Sequence, residues 1–290
     1  MSPPLRVGVV GLGVMGLRHA AAAAALDGVV YVGAVDHTAP RQELGRPVVG
    51  TVAELLALGL DACILATPSP DHVHTAVALA EAGIPTLVEK PLAMDPAECA
   101  QVADAFARAG VAAAVGHVDR FHASVRALHA ALAVGDLGPV TRVATRREGG
   151  PPRRRDGGVL LDLGTHDFDL TRWLTGMSHD QVVAHGIDET SGTDAVEVVS
   201  TLSGGAAATH RCRWDSPHRA RTIEVHCAGG VLGADTSDPG PEPPVPAQLR
   251  AFVDLVLGRA DPEDPRACAS LADGSYAVEV AARAIRALQD

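Results

Sequence analysis

Short apolar runs alternate with helical periodicity over the first 116 residues. RVGVVGLG (residues 6–13), VVYVGAVD (29–36), DACILAT (61–67), TLVEK (86–90) and AAAVG (112–116) read as strands buried on both faces of a parallel sheet. The segments between them carry helix punctuation. Thr51 and Glu54 have capping-box spacing, and Ser69-Pro70 and Asp95-Pro96 each set a cap before a proline. Gly83 and Gly110 follow periodic stretches, where helix-ending glycines belong. Strand and helix alternating in this way predict a doubly wound α/β sheet.

The pattern changes after Phe121. A helical stretch from His122 to about Val134 leads into the strand VTRVATRRE (140–148), and a Gly/Pro/Arg loop delivers the chain to GGVLLDLGTHDFDL (157–170), read as a helix. VVAHGI, AVEVVSTLS, AAATHRCRWDS and TIEVHCAG then follow one another without intervening helices, which predicts a largely antiparallel sheet. Residues 237–246 form a stiff Pro-rich surface connection, and two helical patterns end the chain, the last from about Ala267 to Leu288. The expectation is two domains: 1–118, a doubly wound parallel sheet, and 119–290, an α+β domain with an open, largely antiparallel sheet.

Composition narrows the function classes. With 47% hydrophobic and 20% charged residues, the 290-residue chain has the material for sizeable cores. A net charge of −11 disfavours nucleic acid as a partner. Arg153, Arg154 and Arg155 form a local exception that would suit a phosphate or carboxylate as well as a solvated loop. The cysteines at 63, 99, 212, 227 and 268 form no CxxC pair, as in a reducing cytosol. Neither a signal peptide nor an uninterrupted apolar run of about 18 residues is read, so a cytoplasmic protein without membrane contact is expected.

Gly11-Leu12-Gly13-Val14-Met15-Gly16 is a G-x-G-x-x-G between a strand and an alanine-rich helix, and the second strand ends in Asp36. Glycines there allow a tight turn, close approach of backbone to a pyrophosphate and close helix packing; the acid can accept from a ribose 2′-hydroxyl. Asp36 would repel a 2′-phosphate and the adjacent His37 is a poor substitute for arginine, so NAD is favoured over NADP, although Arg41 is near in sequence. Lys90 closes a strand in Glu89-Lys90-Pro91, on the carboxyl side where such sheets bind ligands. On the 157–170 helix, Asp162 and His166 are one turn apart and share a face, as an acid–base pair or a plain ion pair would.

Together, Gly11 to Gly16, ATPSPDHVH (66–74), Glu89-Lys90-Pro91 and the 157–170 helix resemble the glucose–fructose oxidoreductase / inositol dehydrogenase (Gfo/Idh/MocA) family over essentially the whole chain. The resemblance implies an N-terminal Rossmann domain for NAD(P) and a C-terminal domain laying an open sheet beside the nicotinamide. It maps the family's catalytic lysine to Lys90 and its Asp-x-x-x-His pair to Asp162 and His166. GHVDRF (116–121) and the following RREGGPPRRRDGG are similar to the branch containing UDP-N-acetylglucosamine 3-dehydrogenases, with His122-Ala123 departing from that branch's Asn-Pro.

The candidate cofactor contacts are therefore Gly11, Leu12, Gly13, Val14, Met15, Gly16, Asp36, His37, Ala66, Thr67, Pro68, His72, Glu89 and Lys90, with His72 on the nicotinamide side. His117, Arg120, Arg153, Asp162 and His166 are the candidate substrate contacts. His166 is expected as general base toward a ring hydroxyl, Asp162 as orienter of the substrate or of His166, and Lys90 as donor to the reacting oxygen. No metal is required, and His72 and His74, at i and i+2, cannot share a helix face. His210, His218 and His226 are expected on a sheet surface. The implied activity is NAD-dependent interconversion of a secondary alcohol and a ketone on a sugar, sugar nucleotide or cyclitol, by a homodimer or homotetramer formed through the second sheet. Alternatives are a keto-sugar or imine reductase of a secondary-metabolite pathway, and a non-catalytic dinucleotide-binding regulator.

Overall fold

A computed structural model describes residues 3–38, 42–151, 155–187, 192–238, 240, 243–260, 264 and 267–289. The chain divides into two compact units, Met1–Val118 with Pro243–Ser275, and Asp119–Glu242 with Tyr276–Asp290.

In the first unit β1 (Leu5–Val10), α1 (Val14–Ala25), β2 (Val29–Val35), β3 (Gln42–Glu43), β4 (Arg46–Val49), α2 (Val52–Ala57), β5 (Ala62–Leu65), α3 (His72–Glu81), β6 (Thr86–Val88), α4 (Pro96–Ala109) and β7 (Ala113–Val115) follow in sequence. They build one sheet in the order β3-β4-β2-β1-β5-β6-β7, parallel except for the short β3–β4 edge hairpin. The five buried runs of the sequence are β1, β2, β5, β6 and β7. Val7, Val9, Ile64 and Leu87 among them are fully buried. The β3–β4 hairpin was not foreseen: its turn is Leu44-Gly45, both at positive φ, and a leucine gives no turn signal.

The capping box at Thr51 and Glu54 forms, Asp95 caps α4 by accepting from the Glu98 N–H at 2.9 Å, and Gly110 ends α4 at φ +65°. Ser69 is not a cap; it lies inside a 3-10 turn, Ser69–Asp71, that leads into α3. Part of the expected Pro-rich connection is helical as well. Pro244–Val256 is a helix with prolines in its first turn, where the missing N–H costs nothing, and it buries Val245, Leu249, Phe252 and Val253 in the core of the first unit. Residues 243–275 thus pack with the nucleotide-type sheet although they follow the second in sequence.

The second unit contains α5 (Ala123–Val134), β8 (Val140–Glu148), a π-helical turn (Leu160–Gly164) running into α6 (Thr165–Thr175), and β9 (His179–Gly186), β10 (Ala195–Leu202), β11 (Ala207–Arg213), β12 (Ala220–Cys227) and β13 (Gly230–Asp235). The sheet order is β13-β12-β8-β11-β10-β9, antiparallel except for the β8–β11 pair. Alternation decides which face is covered: Val143 on β8, Ala208 on β11 and Ile223 and Val225 on β12 pack with Leu170 and Leu174 of α6 and with Val125 and Leu128 of α5. β13, which follows the Gly229-Gly230 break, was also missed.

Candidate active site

In the first unit, the carboxyl ends of the strands are stitched in sequence by backbone bonds. The Gly11 N–H donates to the Val35 carbonyl, Ala66 to Val10, Glu89 to Leu65, and Gly116 to Val88, all at 2.7–2.8 Å. Gly11, Ala66 and Glu89 are thereby set along one edge, where α/β sheets take ligands. Each glycine of the turn has a distinct reason. Gly11 sits at φ +90°, and a Cβ on it would lie 2.7 Å from the Ala66 carbonyl oxygen; a Cβ on Gly16 would lie 1.8 Å from the Gly11 oxygen. At Gly13 a Cβ would meet nothing within 4 Å. Gly13 also opens α1 without any side-chain cap, and no acid occupies the first turn. The result is an open cradle of backbone N–H donors at a helix N-terminus, the environment a pyrophosphate requires.

Asp36 is fixed across this cradle. Its carboxylate accepts from the Leu12 N–H at 2.7 Å and from the Thr38 N–H and hydroxyl at 2.7 and 2.9 Å. Leu12 is buried, Met15 packs on the core, and Val14 and His37 are exposed. Thr67 and Pro68 are partly buried in the loop after β5.

Glu89 is a buried anchor. Its carboxylate takes the His19 Nε2 of α1 at 2.8 Å, and the Lys90 N–H at 3.2 Å. Burial alone would raise its pKa, but the His19 and Lys90 contacts outweigh that and hold it below the ordinary value. His72, 1% exposed, places Nδ1 2.9 Å from the Pro91 carbonyl and Nε2 3.1 Å from that of Thr67. Burial lowers its pKa, so the ring is neutral and donates to one of the two. His72 therefore ties the loop after β5 to the loop that presents Lys90; the Lys90–Pro91 peptide is cis.

In the second unit the chemistry gathers around His166. Its Nδ1 lies 3.2 Å from Asp119 Oδ2, the carboxylate of a 3-10 turn, Val118–Phe121. Asp162, one turn earlier, accepts from the Trp214 indole N–H at 2.9 Å. Arg155 stacks over Trp214 at 5.6 Å and pairs with Asp194 and Asp215. Beneath the imidazole, buried Arg147 reaches Asp119 at 2.8 Å and Asp167 at 2.9 Å. Burial would raise the Asp119 carboxyl, but Arg147 and His166 hold it well below the usual range. Burial would pull the Arg147 guanidinium down, and the two carboxylates overcome it and raise it. Asp167 goes up, because burial and the nearby Asp119 exceed what Arg147 returns.

His117 is 2% exposed, and Arg120 is buried, clamped by Asp169 at 2.9 and 2.5 Å and stacked on Trp173. Arg153 and Arg154 lie outside the described residues, as does Arg41. His210 is not on a sheet surface as expected. It is fully buried, donor or acceptor to Thr145 at 2.9 Å and to His179 at 3.0 Å, with Phe168 edge-on. His218 is exposed and His226 partly so.

Asp119, the acid found against His166, was not singled out from the sequence. It sits in GHVDRF, between His117 and Arg120, which were both singled out; nothing in the local pattern marks it as the acid that faces His166. Among the described residues no group of three or more His, Cys, Asp or Glu could hold a metal ion. Nor is any helix among them long and apolar enough to cross a membrane.

Residues 5–117 match the oxidoreductase family with an NAD-binding Rossmann fold, and residues 125–233 match the Gfo/Idh/MocA C-terminal domain. The chain belongs to the Gfo/Idh/MocA family. Within it, the chain is 31% identical to the myo-inositol dehydrogenase Hyg17 of Streptomyces leeuwenhoekii, across 91% of both proteins. It is 32% identical to the UDP-N-acetylglucosamine 3-dehydrogenase of Acidithiobacillus ferrooxidans, across 70% of this chain and 65% of that one. Among solved structures it is similar to GenD2 from gentamicin A biosynthesis in complex with NAD, with a TM-score of 0.86, 26% identity, and 100% and 95% of the two chains covered. The matched family is NAD-binding, and the open cradle at Gly13 with Asp36 across it has the donors and the acceptor that fit a dinucleotide.

Proposed function

We propose that this Gfo/Idh/MocA protein interconverts a ring secondary alcohol and the corresponding ketone on a sugar or cyclitol, using NAD. Support comes from the named activities of the relatives. The observation that carries the reading is the His166–Asp119 contact, with Asp162, one turn before His166, hydrogen-bonded by Trp214. A carboxylate against Nδ1 makes that nitrogen the protonated one and leaves Nε2 to take the hydroxyl proton. NAD+, when bound, accepts the hydride from the carbinol carbon. Lys90, presented by the loop beside His72 in the first unit, is the proposed hydrogen-bond donor to the reacting oxygen, as in the family it belongs to, and Asp162 the proposed orienter of the substrate. Preorganised donors of this kind contribute about 3–4 kcal/mol each to the barrier.

Asp36 adds selectivity. Held by three donors, it can accept from a ribose 2′-hydroxyl but would repel a 2′-phosphate, which favours NAD over NADP. The protein would work in a reducing cytosol, consistent with its five free cysteines, and self-associate through the outer face of its second sheet. Val183 and Val199, directly paired across β9 and β10, are 60% and 39% exposed there.

Purified protein mixed with NAD+ and a panel of cyclitols and sugars, followed by NADH absorbance, tests the reading. Turnover abolished by Lys90→Ala and by His166→Ala, with NAD+ affinity retained, is expected. Near-wild-type turnover in both variants would refute it. The similarity to GenD2 favours one second reading, reduction of a keto-sugar in a secondary-metabolite pathway, which the same assay run with NADH and ketoses addresses.

A further inference from the structure

Several arginines of the second unit are spent on carboxylates. Arg120 pairs with Asp169, Arg147 with Asp119 and Asp167, Arg146 with Glu148, and Arg155 with Asp194 and Asp215. Even Arg146 and Arg155, with side chains more than half exposed, have partners. Arg221 does not follow this pattern. It is partly buried, yet its guanidinium makes no ion pair or hydrogen bond with any described residue.

Its place in the sheet is well defined. On β12, Arg221 is directly opposite Arg147 of β8, and the next pairs along the same face are Ile223 with Thr145 and Val225 with Val143. Side chains opposite each other in an antiparallel pair share a face, so Arg221 is on the helix-covered side with the core residues Ile223 and Val225, next to the arginine that supports Asp119. It is within electrostatic reach of Asp119 and of Asp162, the two acids of the candidate site. Arg219, two residues earlier and exposed, is close enough to repel it. Burial and the charge of Arg147 hold the Arg221 guanidinium below its ordinary value, and Asp119 and Asp162 do not make up the difference. Arg221 is thus a guanidinium of this corner without a carboxylate paired to it.

Burying a charge without a partner is costly, and a cation kept in that condition beside reacting groups is explained by an anion that arrives with the ligand. We propose that Arg221, aided by Arg219, is an oxyanion subsite, so that the substrate of this chain carries a carboxylate or phosphate close to the carbinol that His166 serves. The planar guanidinium suits either group, since both offer two oxygens to its paired N–H donors. The inference rests on the proposed site around His166 and narrows its substrate class from neutral polyols to acidic sugars.

The test is equilibrium binding, by calorimetry on the NADH-loaded protein, of D-glucose, D-glucuronate and D-glucose 6-phosphate. At least one anionic sugar is expected to bind about 10- to 100-fold tighter than glucose, the increment of a charge-assisted pair. The two anionic arms tell carboxylate from phosphate. Arg221→Gln should erase that preference, and Arg221→Lys, which keeps the charge, should restore much of it. Equal affinity for glucose and both anions, or a preference that survives Arg221→Gln, overturns the subsite. Should the preference and its loss both be seen while no sugar is turned over, the subsite stands and the dehydrogenase reading falls.

Discussion

The glycine edge of the first unit and the histidine cluster of the second solve the same problem, holding reactive groups still, with different materials. At the edge, position is set by backbone: strand-end hydrogen bonds, a left-handed Gly11 and an uncapped helix start. In the cluster, position is set by side-chain charge: Asp119 and Asp167 on one buried Arg147, and Asp169 on Arg120. Backbone devices act between near neighbours and tolerate most side chains. Charge networks join distant segments and depend on every member being present.

The sharpest way to break that contrast is to remove a member of each. His166→Ala should lower kcat by about 100- to 10,000-fold, the usual worth of a positioned acid–base group, while NAD+ binding persists. An equal loss of NAD+ affinity would show that the two regions are not separable. Arg147→Met leaves two buried carboxylates without their cation, and about 3–5 kcal/mol of stability should disappear in denaturant unfolding. A variant as stable as wild type would mean the network is not what holds the second unit's site.

A pH dependence comes next in size. His179, buried between Tyr276 and His210, has its pKa pushed down to about 4 by burial and by Arg283. The unfolded chain takes up this proton near pH 6.5 and the folded one only near 4. Between these values the unfolded state binds more protons, so stability falls as pH drops through that window, by roughly 3 kcal/mol from this group. Urea unfolding at intervals across the window reads the slope; an unchanged midpoint would contradict it. The smallest expected effect belongs to the backbone-built edge. Asp36→Ser removes the charge but leaves the glycine turn, and should shift the NADP/NAD preference by about ten-fold or more toward NADP. An unaltered preference in steady-state kinetics would detach Asp36 from cofactor choice.

The same contrast explains what could be read from the sequence. Gly11, Gly16 and Asp36 are close together in the chain and follow a strand, so their spacing alone carried the geometry. The strand VTRVATRRE was legible to its end residues, because the alternation of Val143, Thr145 and Arg147 is itself the two faces of the sheet. Arg120 looked like a substrate contact, and its bidentate bond to Asp169, 49 residues away, has no local signature. For Asp119 the difficulty was the same: it comes to His166 from a different element, 47 positions earlier in the chain. A helical pattern was visible after the Pro-rich stretch, but its first turn, Pro244 to Pro246, read as a surface connection, and periodicity does not say which of two sheets its apolar face will cover.

The direct measurement is the turnover of Asp119→Asn beside Asp162→Asn, with NAD+ affinity as the check on folding. The amide keeps the shape of the side chain and removes the charge facing His166 Nδ1. A fall in kcat of about 100-fold or more in Asp119→Asn, with NAD+ affinity kept, is the expected result. Turnover within a few-fold of wild type would show that His166 does not depend on Asp119.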